Sequence, residues 1–340
     1  ALPRQLVADG HVAEIQRALQ RADHHIHALP YRDPDDLAAT AEVTASSRLE
    51  APSLERSTHT LPLDQDRLWQ FPVSGSELDA LELLLDVTAD TQLTVTLWEG
   101  AENGSTYPET SLMTTDITVK AGDAQWVRVD LGQPIRQPGW HFLEVKANPD
   151  VKVHWGEHPP IGLMGYQVRT PDPIRPNPYS RWTQIAKGDQ VRKAYCFRMP
   201  PQPGTYAAEN VTNPWSRPYR QPNLWASTAT DFTNPEWLTL AWDEAQTIRR
   251  VDLLFDSSLD FTFRQSWEGY PRRVIPALIR DYALYTQDED GVWHERIREH
   301  DNYQRHRTHT LDAENVRAVK LEILATHGID RAQVYGFRAY

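Results

Sequence analysis

From about Val43 onward, the apolar residues of this chain recur at every second position. Leu93, Val95 and Leu97 alternate with Thr94, Thr96 and Trp98, and Val127, Val129 and Leu131 alternate with Arg128 and Asp130. Leu143 and Val145 alternate with Glu144 and Lys146, and Val151, Val153 and Trp155 with Lys152 and His154. Successive side chains of a strand point to opposite faces, so this period marks half-buried strands. The runs are short and end in turn residues: Asn103-Gly104, Ala121-Gly122-Asp123, Pro138-Gly139 and Asn148-Pro149-Asp150. Further strands are predicted at 195–199, 238–242, 251–255, 282–286, 292–295, 319–323 and 334–338. Short strands divided by turns in this way predict an all-β chain of two antiparallel β-sandwich (jelly-roll) modules.

The N-terminus follows another rhythm. Val12, Ile15, Leu19 and Ala22 recur at helical spacing, and a second short helix is predicted over 35–41, capped by Asp33 or Asp35. The expected organisation is a helical segment over 1–42, a first sandwich over 43–200 and a second over 201–340. The stretch 159–200 carries Pro159-Pro160, Pro171, Pro173, Pro176 and Pro178, which predicts an extended connector laid over a surface. The chain opens at Ala1, which reads as a trimmed product whose missing N-terminal part could hold chemistry.

Composition narrows the function. A net charge of −12 over 340 residues argues against a general nucleic-acid or anionic-membrane binder. No apolar run approaches the ~20 residues of a membrane span. Cys196 is the single cysteine, so an intrachain disulfide and a multi-cysteine zinc site are both excluded, and Tyr195-Cys196-Phe197 predicts a buried thiol on a strand. The 12 tryptophans, 13 tyrosines and 25 prolines suit a strand-rich, turn-rich chain with aromatic surfaces for sugars or with aromatic cores.

The second module has an ordered series of short motifs. Glu209-Asn210-Val211 opens it, followed by Asn223-Leu224-Trp225-Ala226-Ser227, Pro235-Glu236-Trp237-Leu238-Thr239-Leu240 and Ile248-Arg249-Arg250-Val251. Tyr282-Ala283-Leu284-Tyr285 and the strand Val316 to Ile323 complete it. In this order they resemble the discoidin, or coagulation factor 5/8 type C, group of galactose-binding-like jelly rolls. Pro200-Pro201, Arg217-Pro218, Pro222-Asn223-Leu224-Trp225 and the helix-like Val12 to Leu19 are similar to the C-terminal region of bacterial FAD-dependent oxidoreductases, some of which carry a xanthan-lyase label. Asp35 to Ala38 with Val43 to Ser47 resembles the lead-in to the first sandwich of that group. The Gly-rich phosphate loop that a flavin domain needs is missing, since the 16 glycines are scattered through turns. The resemblance therefore implies no cofactor in this chain, and FAD only in an absent N-terminal domain.

The resemblance implies ligand binding at loops on one end of the second sandwich. There Arg217 and Arg220 can pair with a sugar carboxylate, Trp215, Tyr219 and Trp225 offer stacking faces, and Asn213 and Asn223 donate and accept. A second loop brings Trp267, Tyr270, Arg272 and Arg273. Together these suit an acidic oligo- or polysaccharide, or else they pack against the partner module or the absent flavin domain. Asp231, Asn234 and Glu236 form a candidate structural calcium site, with backbone carbonyls as further ligands. His24, His25 and His27, and the set His154, Glu157 and His158, are candidate metal or acid/base groups beside the simpler reading of solvated ends. Alternation along a strand would place His306 and His309 on opposite faces, which splits the candidate set of Tyr303, Arg305, His306, Arg307 and His309.

The leading expectation is a non-catalytic carbohydrate-binding and interaction region, extracellular or periplasmic, whose partners are a polysaccharide and a missing flavin domain or a partner subunit. The alternatives are a polysaccharide-active lyase or hydrolase on acidic glycans, and a structural or oligomerisation scaffold.

Overall fold

The computed structural model describes residues 33–74, 78–100, 108–132, 138–168, 181–185, 192–258 and 274–340. Its strands are β1 (Glu42–Ala45), β2 (His59–Pro62), β3 (Arg67–Val73), β4 (Ala80–Val87), β5 (Thr91–Gly100), β6 (Pro108–Val119), β7 (Gly122–Asp130), β8 (Gly139–Val145), β9 (Val151–Glu157), β10 (Met164–Val168), β11 (Trp182–Gln184), β12 (Lys193–Tyr195), β13 (Phe197–Arg198), β14 (Trp225–Ala226), β15 (Glu236–Phe255), β16 (Ile279–Gln287), β17 (Trp293–Glu299), β18 (His306–Thr326) and β19 (Gln333–Ala339). All the pairings among them are antiparallel.

The expected helical segment is not found among the described residues, which contain no α-helix. The short helix expected over 35–41 is a single 3-10 turn, Leu37–Thr40, and its cap is Asp36, not Asp33 or Asp35. The Asp36 carboxylate accepts from the Ala38 N–H at 3.1 Å and from the Ala339 N–H at 3.2 Å, so the cap is also pinned to the C-terminal strand. Asp33 forms its own turn by accepting from the Asp35 N–H. The helix expected over residues 12–22 lies outside the described residues, as do His24, His25 and His27.

Three sheets form. Two six-stranded sheets, β11-β10-β3-β8-β5-β6 and β12-β9-β4-β13 with β2 on β9 and β7 on β4, face each other in the N-terminal half. Their inward residues make one core: Trp69, Phe71, Val95 and Leu143 from the first sheet, and Leu83, Leu85, Val129 and Val153 from the second. Each such side chain contributes about 1.5–3 kcal/mol by leaving water. The first sheet is covered on its other face too, where Leu68, Trp140, Phe142, Met164, Tyr166 and Trp182 pack together. That is why β3 and β8 are buried along their whole length. Part of the stretch 159–200 is strand, since β10 and β11 extend one sheet while β12 and β13 extend the other.

The third sheet, β14-β19-β15-β18-β16-β17, belongs to the C-terminal half, and β1 joins it on β15. The lead-in residues Val43 to Ala45 therefore hydrogen-bond to the C-terminal sheet, opposite Leu240 to Leu238. The two runs at 238–242 and 251–255 are one strand, β15, which passes from one half of the sheet to the other through register shifts between Ala241 and Arg250. The intervening Asp243 to Thr247 contains no Gly, Pro or Asn, so nothing turns the chain there and bulges bend it instead. One core cluster draws on both halves of β15, from Leu238 and Leu240 to Leu253 and Phe255, which shows the sheet folding over on itself.

The halves meet along a seam. Ile161, Tyr206, Leu224, Ala226 and Tyr335 form its apolar part. The Tyr206 hydroxyl donates to the Ile161 carbonyl at 2.7 Å, and the Ile161 N–H donates to the Gln333 side chain at 3.3 Å.

Candidate functional site

The segment 213–223 is a loop whose shape is dictated locally. Pro214, Pro218 and Pro222 restrict the backbone, and Asn213 accepts from the Trp215 N–H at 2.9 Å in a tight turn. Arg220 and Asn223 adopt positive φ, 57° and 56°. The Asn223 amide closes the loop by donating to the carbonyls of Arg217, 3.3 Å, and Tyr219, 3.1 Å. Asn210 anchors its base on the carbonyls of Gly204, Thr205 and Leu224.

This folding brings the Trp215 and Tyr219 rings into a stack, with centroids 4.8 Å apart and planes 18° from parallel. Trp215, Arg217, Tyr219 and Arg220 are all half-exposed. The far arm of the loop docks on the N-terminal half: the Gln221 amide donates to the Val73 carbonyl, and Pro222 sits against Gly162. A Cβ on Gly162 would meet the Pro222 ring at 3.2 Å and Trp140 at 3.0 Å, so this docking needs a glycine. The loop thus has an arm packed between the halves and an arm, Trp215 to Tyr219, that stays partly exposed.

Of the residues expected to bind a ligand, Arg217, Tyr219 and Arg220 share this loop, while Asn223 is committed to holding it closed. Trp225 is fully buried in the C-terminal core, with its indole N–H donated to the Ser47 carbonyl at 2.9 Å. It has no face to offer a ligand, because the alternation of β14 turns it inward opposite Val334. Trp267, Tyr270, Arg272 and Arg273 lie outside the described residues. Arg305, which the sequence separates from the loop by some eighty residues, joins it by donating to the Ser216 carbonyl.

The calcium candidates are dispersed in role. Asp231 is exposed and accepts from the Thr233 N–H at 2.9 Å, a hydrogen bond that holds its carboxyl below the usual range. Asn234 is exposed as well. Glu236 is buried and accepts from the hydroxyls of Ser46 and Ser47, the latter at 2.7 Å. Among the described residues, no three His, Cys, Asp or Glu side chains stand together as a group able to hold a metal ion.

His154 does not gather with Glu157 and His158. It lies between Asp86, whose Oδ1 is 2.8 Å from Nε2, and Ser57, whose Oγ is 2.8 Å from Nδ1. Burial pushes the Asp86 pKa up, but hydrogen bonds from His154 and the Ala124 N–H outweigh it and hold the carboxylate below its ordinary range. The ionised carboxylate accepts a hydrogen bond from the Nε2–H, and in the neutral ring Nδ1 then accepts from the serine hydroxyl. The set joins the chain before β2 to β9 and β4. His306 and His309 fall on opposite faces of β18, as alternation requires: His306 is exposed, and His309 is buried 2.7 Å from the Tyr282 hydroxyl. Cys196 is buried, and burial raises its thiol to about 12, far from a nucleophile's range. No helix among the described residues is long and apolar enough to cross a membrane.

No family model matches the chain, and no curated protein matches it. Among solved structures, it is similar to the family 32 carbohydrate-binding module from Streptococcus pneumoniae EndoD, at 16% identity and a TM-score of 0.32, over 42% of this chain and 89% of that one. It is also similar to chitosan-binding module 1 of a chitosanase/glucanase from Paenibacillus sp. IK-5, at 15% identity and a TM-score of 0.31, over 41% of this chain and 87% of that one. The family 32 module of Clostridium perfringens NanJ matches at 11% identity and a TM-score of 0.29, over 40% of this chain and 86% of that one. Likeness this slight carries no argument about function, which falls to the loop itself.

Proposed function

We propose that this chain is a non-catalytic carbohydrate-binding region whose binding face is the solvent arm of the 213–223 loop. The observation that carries this is the stacked, partly exposed Trp215–Tyr219 pair, in a loop that also carries Arg217 and Arg220. An aromatic face packs on the C–H groups of a sugar ring, and a guanidinium pairs with a carboxylate in bidentate fashion. Arg217 lies between the two rings in sequence and Arg220 directly follows them, so an acidic oligosaccharide is the preferred ligand. The surrounding module is of the discoidin-like, galactose-binding jelly-roll type, placed outside the cytoplasm. Attachment to a flavin-dependent oxidoreductase rests on the sequence resemblance alone, and a structural calcium on the residue types Asp231, Asn234 and Glu236.

One observation favours the rival enzyme reading, namely the Ser57–His154–Asp86 set. Its three members are already satisfied by one another, and Ser57 also lies 3.3 Å from the His59 carbonyl. They cross-brace neighbouring strands, which is a sufficient role for them.

Affinity electrophoresis on gels containing acidic and neutral glycans tests the proposal. Retardation on at least one glycan, lost in Trp215→Ala, is expected. Absence of retardation throughout would leave a scaffold as the answer. A rise in absorbance at about 235 nm on an acidic polymer, from unsaturated uronate, would favour a lyase.

A further inference from the structure

The hairpin of β16 and β17 presents apolar surface that the C-terminal core does not use. Val292 is 51% exposed and Trp293 37%, side by side at its tip. A built turn holds them there. Asp288 accepts from the N–H groups of Asp290 and Val292 at 3.0 and 2.9 Å and lies 2.7 Å from His294 Nε2. The Gln287 amide donates to the Gly291 carbonyl at 3.0 Å.

Trp293 stands in a connected cluster. Tyr282 and Leu284 of β16, with Val319 and Leu321 of β18, enter the core, so alternation turns Tyr285, Lys320 and Glu322 to the opposite face. Lys320 is opposite Tyr285 in register. Its ammonium lies 4.7 Å from the Tyr285 ring centroid, 5.1 Å from that of Trp293 and 3.4 Å from a Glu322 oxygen. On the other flank of Tyr285, Glu295 is its register partner and binds Arg298. The Tyr285 hydroxyl lies 3.1 Å from Glu295 and 3.2 Å from Glu322, and it accepts from Arg298 at 2.9 Å. Burial and the Glu322 charge push that hydroxyl up to about 12, so it keeps its proton, while Arg298 holds the Glu295 carboxyl below its usual range. A phenol has one hydrogen to give, and two carboxylates stand within reach of it. Each carboxylate has about four lone-pair sites, so acceptor capacity remains for hydroxyls from outside.

We propose that this cluster is a second carbohydrate site, on the sheet face, for an uncharged saccharide. Trp293 supplies a flat ring for sugar C–H groups, Glu295 and Glu322 accept from sugar hydroxyls, and Lys320 donates to them. The charges choose the class of ligand. Two carboxylates balance one ammonium and one guanidinium at contact distance, which leaves no net charge in the cluster to draw an acidic or a basic sugar. A protein partner is less suited, because beyond Val292 and Trp293 the cluster is polar, whereas the centre of a protein interface is depleted of charge. The core beneath and the turn beside it fix these groups before a ligand arrives, which lowers the cost of binding. The site shares no residue with the 213–223 loop and takes a different class of ligand, so either reading can fail without the other.

Affinity electrophoresis of the full chain in gels containing galactomannan, xyloglucan or laminarin tests it, with affinity taken from mobility against polymer concentration. Retardation on at least one polymer is expected, and Trp215→Ala should keep it. Trp293→Ala should weaken it at least about tenfold, and Glu322→Gln about threefold. Should Trp293→Ala fail to fold, Glu322→Gln, which keeps the side-chain shape, decides alone. The proposal is overturned by free migration of the wild type in all three gels, by unchanged retardation in the variants, or by retardation that Trp215→Ala abolishes. Wild-type dimers in sedimentation velocity that Trp293→Ala dissolves would also overturn it, making the face a contact between two copies of the chain.

Discussion

Trp215 and Trp225 stand ten residues apart and do opposite work. Composition marks both as candidate sugar platforms, but only the structure separates a ring in the core from a ring in a surface stack. Trp225→Ala should cost about 3–5 kcal/mol in denaturant unfolding, as a large aromatic lost from a core does. Trp215→Ala gives up a stacked pair worth at most about 1.5 kcal/mol and should leave the fold intact. Near-equal losses would mean that the loop is packing and nothing more. His141 is a second residue whose place was hidden in the sequence. It is 1% exposed on β8, stacked near Phe71, with Nε2 lacking a partner among the described residues. Burial lowers its pKa from 6.5 to about 4. The unfolded chain takes up this proton before the folded one does. The associated stability is therefore complete above about pH 6.5 and is lost as the pH falls toward 4, by about 3 kcal/mol in all. His141→Phe should flatten the stability profile across that window; an unchanged slope would show that other groups set it.

At the scale of elements, alternation located strands well wherever one face meets solvent, as in β5, β7 and β9. It said less about β3, because both faces of that strand are covered and its polar residues, Arg67 and Gln70, are buried and do not fall at every second position. It also divided β15 in two, since the five residues Asp243 to Thr247, four of them charged or polar, look like a loop when the partner strand is not in view. The pairing of β1 with the C-terminal sheet, across some two hundred residues, leaves no local mark. A close approach of backbones is equally silent. A Cβ on Gly156 would sit 2.5 Å from the Arg56 carbonyl oxygen. Gly156→Ala must push the Arg56–Ser57 segment away from β9 and break the Ser57–His154 contact. The expected cost is about 1–3 kcal/mol in chemical denaturation. A neutral substitution would show that this edge has room to move.

At the scale of the whole molecule, the all-β class was legible because composition, turns and period agree. The candidate loop was legible as a set of residue types. Its geometry was not, because Arg305, Val73 and Gly162 reach it through folding. The loop serves two neighbours, gripping the N-terminal half through Gln221 and Pro222 and presenting Trp215, Arg217 and Tyr219 to solvent. That division ties the architecture to the proposed function, since docking one arm fixes the other before any ligand arrives and lowers the entropic cost of binding. The most direct measurement is isothermal titration calorimetry of the full chain with uronate-containing oligosaccharides, comparing wild type with Trp215→Ala at matched thermal stability. The account predicts saturable binding to the wild type and at least a tenfold loss in the variant, about 1.4 kcal/mol. Equal affinity in the two proteins, or no heat of binding with any glycan, would contradict it.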